Sequence, residues 1–390
     1  MAAGYEKKNK QNYTHMKFQV SSTRLFSQLQ AVSRVIGSKN ALPILDDVLF
    51  TLEGNQLSLT ASDGETSIRT RLEVDESEGS GMVAFGSKIL LETFKQFPEV
   101  PLQFNIDEQN FGMTISSPNG EYSVVGVNGA EYPELPMESE QDSHSFKMSS
   151  SLLLDAISKT IFCTAEDELR PVMNGIYFDM TPEKATLVAT DAHRLVRYTN
   201  STIHVDEPAS FILPKKPAML LKNVLQKDEN DVDVRFGARN AMFCFANTVI
   251  VCRLIDGRYP NYNAVIPQNN TNIMTIDRLT LLSACKRVAV FANTSTSLIR
   301  LALAEDSVTI SSQDIDFSTA AEEKLVCSYA GTPMAIGFKA PFLCEILSTL
   351  QSDEVQLEFA DPARAGLILP SENEENEELL MLLMPMLLND

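Results

Sequence analysis

The sequence has no tryptophan and only four histidines, none in a ligand spacing such as HExxH, which argues against a zinc site. Its six cysteines, Cys163, Cys244, Cys252, Cys285, Cys327 and Cys344, occur singly on apolar stretches without CxxC pairs, so they read as reduced core residues of a cytosolic protein. No apolar run approaches the roughly 20 residues needed to span a bilayer, so no membrane partner is expected. Residues 1–15 are polar, with Lys7, Lys8 and Lys10 but no apolar centre. That excludes a signal peptide and suggests a disordered extension or a start-site artefact. Also missing is an excess of positive charge. With 32 Lys and Arg against 52 Asp and Glu, the net charge is −20, which taken whole speaks against nucleic acid.

What is present is repetition. Leu187 to Leu195 reads LVATDAHRL, a short apolar strand that runs into a polar turn, and Leu57 to Glu65 (LSLTASDGE) and Val308 to Asp316 (VTISSQDID) resemble it. Asp63 and Asp191 lie 128 positions apart, and Asp191 and Gln313 lie 122 apart if Gln313 takes the Asp place. Tyr132-Pro133 and Tyr259-Pro260 keep nearly the same period, at 127. A chain of 390 residues exceeds what one core usually serves, so three copies of one domain fit its length.

Each copy opens with a strand, a candidate serine cap such as Ser21, Ser22 or Ser149, and a helix with apolar residues at spacings of three and four, as in Leu25, Leu29, Val32 and Ile36. The plan then recurs inside the copy, giving six half-domains, each with one helix and several strands. Nothing alternates in the βαβ manner, so the fold class is α+β with largely antiparallel sheets. The expected layout is an extension over 1–15 and domains over 16–140, 144–267 and 268–390. Polar linkers at Met137 to Ser143 and Gln268 to Asn272 separate them, and the acidic stretch Ser371 to Glu378 reads as a solvated loop.

The six helical windows, 22–39, 87–97, 149–162, 215–227, 277–291 and 339–352, hold 14 basic residues and 4 acidic ones, a sum of +10 that leaves −30 for the rest. The basic set is Arg24, Arg34, Lys39, Lys88, Lys95, Lys159, Lys215, Lys216, Lys222, Lys227, Arg278, Lys286, Arg287 and Lys339. Lys and Arg on solvated helix faces would explain some of this, but Glu is an equally good helix former and is scarce here. A shared basic surface that neutralises phosphates without reading bases is favoured. Six domains of about 30 to 35 Å, closed as a ring by two chains, would leave a hole of about 30 Å.

The residues of LVATDAHRL admit other uses. Asp191 and His193 form a candidate catalytic pair for a hydrolase, but no GxSxG elbow, phosphate loop or metal set accompanies them. A repeat scaffold that binds only proteins is the other alternative, and plain packing is the bland reading of every Met and Leu named below.

Six short segments in order carry a resemblance: MKFQV from Met16, LPIL from Leu42, Asn174-Gly175, TDAHRL from Thr190, DGRYPNY from Asp256 and MPM from Met384. Over Met16 to Leu388 the chain resembles the bacterial sliding clamps, the beta subunits of DNA polymerase III. The resemblance implies a non-catalytic clamp fold without a cofactor: a head-to-tail homodimeric ring, helices inside and antiparallel sheet outside. It implies that a clamp loader places the ring around duplex DNA, and that polymerases and repair proteins dock by a short peptide. The pocket carried over is Met173, Thr190, Ala192, His193, Arg194, Leu195, Pro260, Val265, Leu383, Met384, Pro385 and Met386, with His193 and Arg194 as rim donors. The DNA-facing residues are Arg24, Lys39, Lys88, Lys215 and Lys216. Ring closure would set Tyr122 and Val124 against Val290 and Phe291. Two departures stand out: Leu387 and the Asn389-Asp390 extension follow MPM where a polar residue and Leu are usual, and Ala264 replaces an occasional basic residue.

Overall fold

The computed structural model describes residues 15–134, 143–228 and 230–388. Residues 1–14 of the expected extension, 137–142 of the first linker, and Asn389 and Asp390 lie outside the described residues. His15 already belongs to the first strand, His15–Ser21, one residue before the expected start.

The chain divides into two compact units. One comprises residues 1–141, 230–235 and 240–253; the other comprises 142–229, 236–239 and 254–390. In the first unit, a five-stranded antiparallel sheet has the order Asp75–Glu78, His15–Ser21, Pro101–Asp107, Gly112–Ser117, Gly120–Val125. A second sheet includes, within that unit and in this order, Val127–Asn128, Gly81–Gly86, Asp47–Glu53, Gln56–Ser62, Thr66–Glu73, Thr248–Arg253 and Asn240–Phe245. In the other unit, nine strands run Ala209–Pro214, Gly175–Met180, Ala185–Thr190, Arg194–Asn200, Glu377–Leu383, Gly366–Pro370, Glu354–Phe359, Asn272–Asp277, Ser328–Ala330. A four-stranded sheet, Thr319–Val326, Ser307–Asp314, Leu298–Ala304, Met334–Lys339, completes it.

Among the described residues, six α-helices occur where the six windows put them: α1 Ser22–Ser33, α2 Ser87–Phe94, α3 Ser150–Thr160, α4 Lys215–Val224, α5 Arg278–Ala289 and α6 Ala340–Thr349. Arg34, Lys39, Lys95, Lys227 and Lys339 fall outside these shorter helices. Caps explain three of the starts. Ser21 Oγ accepts from Arg24 N at 3.2 Å, Ser149 Oγ from Leu152 N at 3.2 Å and Asp277 Oδ1 from Thr280 N at 2.7 Å. Ser22 is not a cap: it is the first helical residue, buried, and its Oγ donates to Pro98 O at 2.7 Å. Ser150 does the same to Gln226 O at 2.7 Å, and in the third copy Arg278 Nε donates to Ser352 O at 2.7 Å. Each odd-numbered helix is thereby tied to the loop that follows its even-numbered partner.

The repeat also shows in the tyrosines. Tyr132 OH accepts from Ser62 N at 2.9 Å, and Tyr259 OH lies 3.5 Å from Val188 O, so each buries its ring behind the hairpin of its own copy. Two boundary expectations fail. Asn272 is no linker residue: it is buried in a strand and its Nδ2 donates to Phe359 O at 3.2 Å. Glu377 and Glu378 of the supposed acidic loop open the last strand.

Candidate docking site

The hairpin that joins Ala185–Thr190 to Arg194–Asn200 is built by side chains bonding to backbone. Asp191 Oδ1 accepts from His193 N at 2.9 Å and Arg194 N at 2.7 Å. Thr190 Oγ1 accepts from Ala192 N at 3.1 Å and donates to Arg194 O at 2.6 Å. These bonds reinforce the backbone bond from Asp191 N to Arg194 O at 3.3 Å across the turn, which is why an Asp recurs in the copies. The first copy repeats the geometry, Asp63 Oδ1 accepting from Glu65 N at 2.9 Å and Thr66 N at 2.7 Å. In the third it is Asp314, not Gln313, that takes the role, accepting from Asp316 N at 2.9 Å and Phe317 N at 3.2 Å. In the first two copies the residue after the Asp is left-handed, Gly64 at φ +92° and its counterpart Ala192 at φ 73°.

The Asp191 carboxylate is turned to the hairpin and to Arg194: it accepts from His193 N and Arg194 N on one oxygen and from Arg194 Nε at 3.0 Å on the other. The hydrolase alternative loses its catalytic pair.

Period-two alternation decides which neighbours of the turn face the same way. Leu195 packs with Val188, Ile212, Tyr259, Ile266, Ala365, Leu367, Leu380 and Leu382 in one buried cluster, against which Val172, Tyr177 and Tyr262 also pack. Leu195 stands directly opposite Leu382, and Arg194 opposite Leu383. Cross-strand partners share a face, so Leu382 belongs with Leu195 while Leu383 and Arg194 point to the other side. Leu383, expected in the pocket, is buried on the face opposite Leu195, and Leu382, buried as well, is the one that packs with Leu195.

Arg194 is no rim donor. It is 6% exposed; Nη1 donates to Glu345 at 2.5 Å, Nη2 to Phe162 O at 3.1 Å, and its guanidinium lies 4.2 Å from the centre of the Phe342 ring. Burial works against the charge on the guanidinium, but Glu345 and Asp191 beside it outweigh that and hold Arg194 above its ordinary value, while burial pushes the Cys163 thiol well up. His193, by contrast, is exposed, with its ring centre 6.1 Å from that of Phe342.

The chain's last described residues arrive at this hairpin. Met384 N donates to His193 O at 2.8 Å, and Met386 N donates to Gly337 O at 2.8 Å. A side chain at Gly337 would strike Leu388 Cδ2 and Met386 O, both at 2.8 Å, so glycine there lets the tail lie flat. The result is an apolar surface open to solvent, with Met384 at 43% and Val265 at 58% exposure, and Pro260, Pro385 and Met386 half-buried. Met173 ends the 3-10 turn Pro171–Met173, whose Val172 meets the cluster. Leu387 is 82% exposed and Ala264 is exposed as well. Phe342 and Lys339, whose Nζ lies 4.8 Å from the Phe342 ring centre, were invisible in the sequence, because only the fold brings α6 to the hairpin.

Of the expected DNA-facing residues, Lys39 and Lys88 are exposed. Arg24 is exposed and donates to Glu73 O at 3.2 Å. Lys215 is paired with Glu166 at 2.6 Å, which holds that carboxyl below its usual range, and Lys216 is exposed. Within the wider basic set, Lys159 is buried against Glu377 at 2.6 Å, Arg278 binds backbone carbonyls, and Arg287 pairs with Glu323 at 2.7 Å. Tyr122 lies on the edge strand Gly120–Val125, edge-on to Phe97 at 5.2 Å; Val124 beside it is half-buried. Val290 and Phe291, just past α5, are 79% and 41% exposed. Among the described residues, no group of three or more His, Cys, Asp or Glu is placed to hold a metal, and no helix is long and apolar enough to cross a membrane.

Three successive family models match the chain: the N-terminal domain of the DNA polymerase III beta subunit over 16–136, its central domain over 147–261 and its C-terminal domain over 263–386. The chain belongs to the DNA polymerase III beta subunit family. A beta sliding clamp of Vibrio cholerae is 26% identical over 371 residues, covering 95% of this chain and 99% of the relative. One of Staphylococcus aureus is 25% identical over 374 residues, covering 94% and 98%. Among solved structures, the Pseudomonas aeruginosa sliding clamp bound to griselimycin superposes with a TM-score of 0.90 at 25% identity, over 96% of this chain and all of that one. The Bartonella birtlesii clamp, also with griselimycin, gives 0.88 at 27% identity, again over 96% of this chain and all of that one. The three-domain clamp fold is therefore this chain's fold, and its function is that of a beta subunit, a non-catalytic DNA sliding clamp rather than an enzyme or a scaffold for proteins alone.

Proposed function

We propose that two copies of this chain close head to tail into a ring around duplex DNA, and that polymerases and repair proteins are tethered to it by a short peptide. On this reading the three clamp domains are 16–140, 144–267 and 268–390, with helices lining the hole. A clamp loader opens the ring, and the assembly works in the cytoplasm. Arg24, Lys39, Lys88, Lys215 and Lys216 face the phosphates without reading bases. Tyr122 and Val124 of one chain meet Val290 and Phe291 of the other.

The peptide pocket is the open apolar surface made by Thr190, Ala192, His193, Leu195, Pro260, Val265, Leu382, Met384, Pro385 and Met386, with Met173 at its margin. The observation that carries this reading is the hydrogen bond from Met384 N to His193 O at 2.8 Å, which fixes the C-terminal methionines beside the hairpin. Methionine and proline make no hydrogen-bond demands on a partner, so one surface can accept several sequences.

The pocket is tested with Met384→Ala and His193→Ala combined. Peptide affinity should fall at least tenfold while the sedimentation of the dimer stays unchanged. Unchanged affinity would place the peptide elsewhere.

A further inference from the structure

Pro260 and Val265, two walls of the proposed pocket, come from residues 259–266, a segment that contributes no strand to the sheet. Its side chains hold it down. The Tyr259 ring stacks on Tyr177 with centres 4.6 Å apart and planes 5° from parallel, and Tyr262 meets Tyr177 edge-on at 6.3 Å. Tyr262 OH then donates to Asp179 Oδ2 at 2.8 Å. Tyr177 and Asp179 are two residues apart on the strand Gly175–Met180, so one face of that strand offers both the stacking ring and the acceptor. Tyr262 and Val265 begin and end a single 3-10 turn, and Pro260 lies between the stacked tyrosine and the latched one.

We propose that Asp179 and Tyr262 are positioning residues: their hydrogen bond latches the 259–265 segment on the sheet and so holds Pro260 and Val265 in place before a peptide arrives. This rests on the peptide-pocket reading. Neither residue needs to touch the peptide. With the latch made, the wall is already ordered; without it, part of the binding free energy goes into ordering the segment. A phenol donating to a carboxylate is a charge-assisted bond, stronger than a neutral one, which suits it to fixing a stretch without strand pairing.

The test uses the full chain and the anisotropy of a labelled short synthetic peptide with apolar side chains. Tyr262→Phe and Asp179→Ala should each weaken binding about fivefold, and the double variant should be no weaker than either single, because they remove one bond. Asp179→Asn, which keeps an acceptor oxygen, should recover most of the affinity. Thermal midpoints recorded alongside separate the latch from simple unfolding: a loss that merely tracks the unfolded fraction at assay temperature overturns the proposal. Wild-type affinity in Tyr262→Phe and Asp179→Ala, with Met384→Ala still weakened, also overturns it while leaving the pocket standing. If Met384→Ala binds as wild type, it is the pocket reading that fails.

Discussion

Arg194 neighbours the exposed His193 and yet has almost no surface of its own. Its guanidinium is enclosed by Asp191, Glu345, the Phe162 carbonyl and the Phe342 ring, and it locks the hairpin from behind. Arg194→Ala should cost about 3 kcal/mol, because it leaves the Asp191 oxygen without its charged partner, whereas His193→Ala should stay within about 0.5 kcal/mol; urea unfolding measures both. Equal small losses would mean the pair is idle. Asp47 gives a prediction with a sign. Burial first, and Asp46 second, raise its carboxyl above the usual value. A raised acid favours the folded state below its unfolded pKa and loses that contribution as pH rises through the folded one. Asp47→Asn should therefore raise the thermal midpoint at pH 7, and the gain should vanish near pH 3. At this scale the sequence was legible in part. The Asp of the hairpin announces itself because its backbone bonds are local, as at Asp63 and Asp191. The third copy misled by one residue, since it is Asp314, the last residue of its strand, and not Gln313 whose carboxylate accepts the amides of the turn. Arg194 misled because a charge in a polar turn looks exposed until α6 is placed behind it.

Elements show what local sequence cannot carry. The six helices were legible from apolar spacing and caps, but the pairing of Arg194–Asn200 with Glu377–Leu383 joins strands from the second and third repeats, and no local pattern names such a partner. A slip of one residue there would turn Leu382 away from Leu195 and bring Leu383 to its side. One buried group bears on this register. Lys159, in the last turn of α3, pairs at 2.6 Å with Glu377, the first residue of the last strand; Tyr198 OH donates to the same carboxylate, and both ionic side chains are under 10% exposed. Composition counted Lys159 among surface bases and Glu377 in a solvated loop, so both halves of the pair were misread for want of each other. Lys159→Met should destabilise by about 3 to 5 kcal/mol by stranding Glu377, and Lys159→Met with Glu377→Leu should recover at least half of that in urea unfolding. A double variant as unstable as the single would mean that the lysine's stem, not its charge, is what packs there.

For the whole molecule the net charge of −20 sets the terms, since two such chains and a DNA duplex are all anions. Exposed Lys39 and Lys88 can soften that repulsion, but a clamp needs enclosure more than attraction. On the proposed ring enclosure takes two copies, and Val290 and Phe291, which are exposed, are the proposed contact on one of them. Phe291→Asp should yield monomers in sedimentation, and a surviving dimer would move the interface. Enclosure also gives the most direct measurement of the account. The clamp is loaded on closed circular duplex, washed at high salt, and the circle is then either left intact or linearised. The account predicts that it stays on intact circles and is lost from linear DNA through the ends. Loss from both in step with salt, or retention on both, would contradict it.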